Sequence, residues 1–140
     1  MPDRSAATTV VREWVTKAEG DLRAAVLLLE ARAKLPTDAV CFHVQQCTEK
    51  YVKALLVFQG AHVPKTHDIE KLTFLLRATL RPRLTPEEQR RFTGYAAAAR
   101  YPGWGEISLA EAKRAVAISR RVRREIRRAL PREILRLKKR

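Results

Sequence analysis

Two stripes of opposite character run along residues 40–58, and together they dictate a long helix. Val40, Val44, Cys47, Tyr51, Ala54, Leu55 and Phe58 recur at three- and four-residue steps, the spacing that puts side chains on one helical face. His43, Gln46, Lys50 and Lys53 recur at steps of three, four and three and form a second, polar stripe. The first stripe requires a core to pack against; the second is equipped to hold something by hydrogen bonds. Pro36 precedes this segment, Thr37 is expected to cap it with Asp38 in the first turn, and Gly60 suits the position just past its end.

The same periodicity predicts four further helices. Trp14, Ala18, Leu22, Ala25, Leu28 and Leu29 mark one over residues 6–33. Ile69, Leu72, Leu75, Leu76 and Leu80 give an apolar side to a helix that starts at Thr66 or His67 and is broken by Arg81-Pro82-Arg83. Thr85-Pro86-Glu87-Glu88 opens a short helix ending near Ala98: Thr85 caps, Pro86 suits the first helical position and Glu88 closes a capping box. After Pro102 and Gly103, a second box at Ser108 and Glu111 starts the last helix, which runs to Leu130 and Pro131. Helices of this length joined by short loops pack as antiparallel neighbours. The expected fold is all-α, an up-and-down bundle of four main helices plus one short helix over residues 1–130, with a basic tail over residues 131–140.

Composition narrows the class. A chain of 140 residues fits one domain with a real core, and an apolar fraction of 46% excludes a disordered one. No run approaches the roughly 20 apolar residues of a membrane span, and Met1-Pro2-Asp3-Arg4 lacks the pattern of a signal peptide. A cytoplasmic protein without membrane association is expected. Cys41 and Cys47 stand on different faces of one helix, roughly 9 Å apart along its axis, which forbids a disulfide between them and matches no zinc spacing. They read as core thiols. The absence of Asn, the single Met and the heavy use of Arg suit either a heat-adapted (thermophile) source or a GC-rich genome.

The net charge of +14 is concentrated at one end, where residues 120–140 hold eleven Lys or Arg against Glu125 and Glu133. Arg120, Arg121, Arg124, Arg127 and Arg128 form a basic face beside the apolar Val116, Val122, Ile126 and Leu130. An anionic partner fits this face: nucleic acid first, an acidic protein second and a membrane surface third, because no aromatic anchor accompanies Ile134, Leu135 and Leu137.

Taken in order, these segments resemble the HEPN family (higher eukaryotes and prokaryotes nucleotide-binding). Trp14, Ala18, Asp21 and Leu22 resemble its first-helix signature. Phe42, Gln45-Gln46, Glu49-Lys50, Lys53, Ala54 and Leu55 resemble its second. Gly60, Thr66-His67-Asp68-Ile69 and Leu72 resemble the following loop and helix start, and Tyr95 with Arg100-Tyr101-Pro102 the stretch before the last helix. The resemblance spans residues 11–130. It implies a helical bundle that dimerises, with nucleotide or RNA at or near the dimer cleft. Many small prokaryotic members pair with a minimal nucleotidyltransferase as half of a toxin–antitoxin module. Ribonuclease members place a His a short spacing after an Arg. The positions that spacing reaches from Arg100 are Gly105, Glu106 and Ile107, and none is His.

On the resemblance, the expected nucleotide or RNA contacts are Lys50, Lys53, Arg100, Tyr101 and Trp104. The Arg fork meets phosphate oxygens in pairs, Lys supplies charge, and the aromatic rings stack on bases. Arg100 also has a plain structural reading, as a cation at a helix C-terminus beside Tyr101 and Trp104. His67 with Asp68 reads either as a helix cap or as a hydrogen-bonded pair facing Lys50; in a ribonuclease with a non-standard site, His67 and Arg100 would be the catalytic candidates. His43 reads as a solvated or interface residue, and His62 is assigned nothing. Three scattered His without a carboxylate motif predict no metal, and no cofactor is expected. Neither a nucleophile elbow nor a phosphate-cradling Gly loop is present; Gly103-Trp104-Gly105 is too short and lacks a following Lys. Three readings follow: a non-catalytic nucleotide- or RNA-binding homodimer paired with a nucleotidyltransferase, an unusual ribonuclease, and a structural subunit that holds a partner protein.

Overall fold

Helix α2, Thr37–Gln59, is the axis about which the protein is built. Its apolar stripe is buried except for Phe58 near its C-terminal end, and every other substantial helix packs on it: α1 (Arg4–Leu29), α3 (Ile69–Leu75), α4 (Pro86–Ala98) and α5 (Leu109–Ala129). A single 3-10 turn, Ala78–Leu80, follows α3, and a one-turn helix α6, Arg132–Leu135, follows α5. The computed structural model describes residues 4–31 and 34–136, and among them there is no strand. The all-α bundle read from the periodicity is the fold observed.

The core draws on every helix. Val11, Val15, Ala18 and Ala25 of α1 meet Val44, Cys47, Tyr51, Leu55 and Leu56 of α2, while Ile69, Leu72, Phe92, Val122 and Ile126 close it from the other side. Burying a side chain of this size contributes about 1.5–3 kcal/mol. Both thiols lie in this core, and burial pushes Cys41 and Cys47 up to about 12.

Helix ends set by local chemistry fall where the residues place them. Thr85 accepts from the Glu88 N–H while Glu88 accepts from the Thr85 N–H, completing the capping box. Gly60 sits at φ 82°, with its N–H on Val57 O and the Ala61 N–H on Leu56 O. This is the paired closure that a left-handed residue makes possible.

Ends set by distant side chains differ from expectation. Thr37 is the first helical residue, with Pro36 in the cap position, and its hydroxyl donates to Ile107 O at 2.7 Å. Helix α3 starts after Asp68, which accepts from the Lys71 N–H, and stops at Leu75 rather than Leu80. There the Gln59 amide brackets the break, donating to Leu75 O and accepting from the Arg77 N–H, and Arg81 donates to Phe74 O and Leu76 O. These side chains satisfy backbone groups that a continued helix would have paired. Ser108 caps α5 as expected, but Glu111 does not reciprocate, because Arg91 and Tyr95 hold its carboxylate. Helix α1 ends at Leu29; the expected end at Ala33 lies outside the described residues, as do Leu137, Lys138, Lys139 and Arg140 of the basic tail. The first part of that tail docks on α1. Ile134 is buried, and Arg12 donates to Glu133 O and Ile134 O at 2.7 and 3.0 Å.

Candidate nucleic-acid interface

The polar stripe of α2 is organised around two carboxylates. Asp21 of α1 lies 2.9 Å from His43 Nδ1 through one oxygen and accepts from Lys50 Nζ through the other. Glu49, with only 3% of its side chain exposed, accepts from Gln45 Nε2 at 2.9 Å and Lys53 Nζ at 3.0 Å, and lies 2.7 Å from His67 Nδ1. A carboxylate partner requires each imidazole to carry its proton on Nδ1. Gln46 donates to Gln45 Oε1 at 2.6 Å and joins the stripe to the Glu49 cluster, and Lys53 also lies over the Trp14 ring at 5.3 Å. Burying charge is tolerated here because each carboxylate has several donors.

His67 therefore pairs with Glu49, and Asp68 instead caps α3. The pair of these two residues facing Lys50 is not the arrangement observed. Half of the His67 side chain, 52%, remains exposed.

Arg100, Tyr101 and Trp104 stand on another element, the turn between α4 and α5. Arg100 is exposed, and among the described residues its guanidinium has no hydrogen-bond or ion-pair partner; Tyr101 is 66% exposed and Trp104 45%. Four alanines bring the chain to Arg100, and the backbone N–H groups of Arg100 and Tyr101 both return to Ala97 O. The turn is tied down by Trp104, whose indole lies on Gly94 of α4. A Cβ at that position would sit 2.5 Å from the ring, so the missing side chain makes room for it.

Of the α5 basic face, the structure separates two kinds of arginine. Arg121 donates to Glu88 and to Arg83 O, and Arg127 to Glu19 and the Tyr51 hydroxyl. Arg120, Arg124 and Arg128 are exposed without a carboxylate partner among the described residues.

Several organising residues carry weaker signals in the sequence. Glu19 receives a bidentate Arg123 in addition to Arg127. Burial pushes its carboxyl up, but the Arg123 hydrogen bonds and the two positive charges outweigh burial and hold it below the usual carboxylate range. Burial raises the neighbouring Tyr51 hydroxyl to about 12. Arg91 grips Glu111 with two hydrogen bonds, which holds that carboxyl low despite partial burial, and Tyr95 donates to the same group. Glu49 was visible, being four residues before Lys53 and four after Gln45, both helix-face spacings. Glu19 and Arg123 are more than a hundred residues apart, and nothing local joins them. Among the described residues no group of three or more His, Cys, Asp or Glu is arranged to hold a metal ion, and no helix is long and apolar enough to cross a membrane.

Four helices packed on a central fifth, with a polar cluster on that helix and an open basic-aromatic turn before the last long one, define a small all-α bundle domain. The HEPN domain model matches residues 11–129, and the chain belongs to the HEPN family. Among solved structures it is similar to the crystal structure of TT1696 from Thermus thermophilus, at 22% identity and a TM-score of 0.71, over 86% of this chain and 98% of that one. That likeness concerns the fold. No curated protein matches the sequence.

Proposed function

We propose that the protein is a non-catalytic HEPN homodimer that binds nucleotide or RNA and pairs with a minimal nucleotidyltransferase in a toxin–antitoxin-like module of the cytoplasm. One observation carries the ligand-binding part of this reading: Arg100, Tyr101 and Trp104 are presented together on one short turn, open to solvent, with the guanidinium unengaged. An open Arg fork suits phosphate, and exposed rings on an anchored turn suit bases. Lys50 and Lys53 belong to the same proposed cleft, but each is committed to a carboxylate and would meet phosphate by exchanging partners. The absence of His at positions 105, 106 and 107 supports a binding role over cleavage.

Labelled RNA titrated by fluorescence anisotropy at two salt concentrations tests it. Binding that weakens steeply with salt and drops for Arg100→Ala is expected; salt-independent binding, or none, overturns it. Gel filtration with light scattering tests the dimer, and co-expression with a nucleotidyltransferase tests the partner.

The His67–Glu49 pair favours a second reading, a ribonuclease. An exposed imidazole whose Nδ1 is fixed on a buried carboxylate has the form of an oriented acid–base group. Cleavage of total RNA that is lost in both His67→Gln and Arg100→Ala would establish it; cleavage indifferent to both would dismiss it.

A further inference from the structure

The positive charge of α5 is largely neutralised where it faces the bundle and left open where it faces away. Arg121, Arg123 and Arg127 are consumed by Glu88 and Glu19. Arg120, Arg124 and Arg128 recur every four residues, so they stand in one row about 12 Å long, and none has a carboxylate partner among the described residues. The row is flanked at both ends by further open arginines. At one end Arg120 shares a groove between α1 and α5 with Arg23, where Glu19 is already occupied and Glu30 is the remaining acid. At the other, Arg124 and Arg128 share a groove with Arg132 of α6, whose lining contains no acidic residue.

We infer that Arg23, Arg120, Arg124, Arg128 and Arg132 form a strip that binds the sugar–phosphate backbone of a nucleic acid without reading its sequence. This deepens, and rests on, the nucleic-acid reading proposed above, and it places a second contact surface away from the turn of Arg100. Three features select phosphate. Every open cation on the strip is arginine, whose planar fork pairs with phosphate oxygens. The cations are spaced along a line rather than gathered round a point, as a chain of phosphates requires. The linings of both grooves hold no aromatic or methionine side chain, the anchors a protein interface would draw on. The strip also differs from the face read from the sequence: Arg121 and Arg127 leave it, and Arg23 and Arg132 join it.

The test uses the full chain and a labelled uridine homopolymer of about 20 nucleotides, with affinity measured across a salt series. The strip variant is Arg120→Gln, Arg124→Gln, Arg128→Gln. These residues are exposed and unpaired, so its melting temperature is expected to match wild type. Its log affinity against log salt should be shallower by about 2, from about 0.7 per lost phosphate contact on a single strand, and its affinity should fall at least ~10-fold at low salt. A control variant, Lys65→Gln, Arg90→Gln, Lys113→Gln, removes the same charge from exposed positions elsewhere and should keep the wild-type slope. Equal losses in the two variants would reduce the strip to net charge and overturn it. Loss confined to an Arg100→Ala, Tyr101→Ala variant would also overturn the strip, while leaving the proposed function standing. Polyglutamate of matched charge that competes as well as RNA would overturn the phosphate assignment in favour of an acidic protein partner.

Discussion

The polar face of α2 and the turn between α4 and α5 both bring cations together with aromatic rings, yet the two regions are built on opposite terms. On α2, Lys53 lies over Trp14 and is locked to Glu49, while Lys50 is locked to Asp21. On the turn, Arg100, Tyr101 and Trp104 stand open, held by one indole against a glycine. The contrast teaches that a cation inside the bundle must bring its own anion. Desolvating an unpaired charge costs several kcal/mol, so rigidity there is gained at the expense of availability. A group at the rim keeps its hydrogen-bonding capacity for a partner because water satisfies it meanwhile.

The comparison is most exposed at Glu49. Glu49→Ala strands Lys53 in the interior, and a loss of about 3–5 kcal/mol is expected, visible as a large fall in the chemical-denaturation midpoint. A variant as stable as wild type would show that Lys53 does not depend on its carboxylate. At the turn, Tyr101→Ala should leave stability within about 0.5 kcal/mol yet weaken RNA binding by about 1–3 kcal/mol; the reverse pattern would make the turn structural. Gly94→Ala sharpens the point, since it pushes Trp104 off α4. A shift of tryptophan emission and weaker RNA binding are expected, with a stability cost of about 1 kcal/mol, the size of modest overpacking.

Acid offers a smaller effect. The carboxyls of Glu19 and Glu111 are held below their ordinary value of 4.5 in the folded protein. The stabilisation they supply is therefore complete above about pH 4.5 and is lost as pH falls through their lowered folded values. Melting temperature should decline on acidification below that point, and the decline should be shallower in Glu111→Gln. Cys41 and Cys47 define the least responsive end of the scale: buried and raised to about 12, they should resist thiol reagents at neutral pH until the protein unfolds.

What was legible in the sequence was whatever is decided within a few residues. The stripes on α2, the Thr85–Glu88 box and the glycine closure at Gly60 are all local, and each is where the residues put it. Asp21 reaches His43 and Lys50, Arg123 reaches Glu19, and Gln59 stops α3, all across distances that no window of sequence spans. For the same reason the stripe His43, Gln46, Lys50, Lys53 was readable as polar, whereas its engagement with carboxylates was not. The α5 arginines made one basic face in the sequence because periodicity counts cations and cannot count the acids folded against them.

The grip of Arg12 on the carbonyls of Glu133 and Ile134 brings the first and the last described helices to one pole of the bundle. Arg12→Ala should loosen α6 from α1 and carry Arg132 away from Arg124 and Arg128, so a hydrogen-bonded seam begun on α1, far from α5 in sequence, also sets the length of the cationic row.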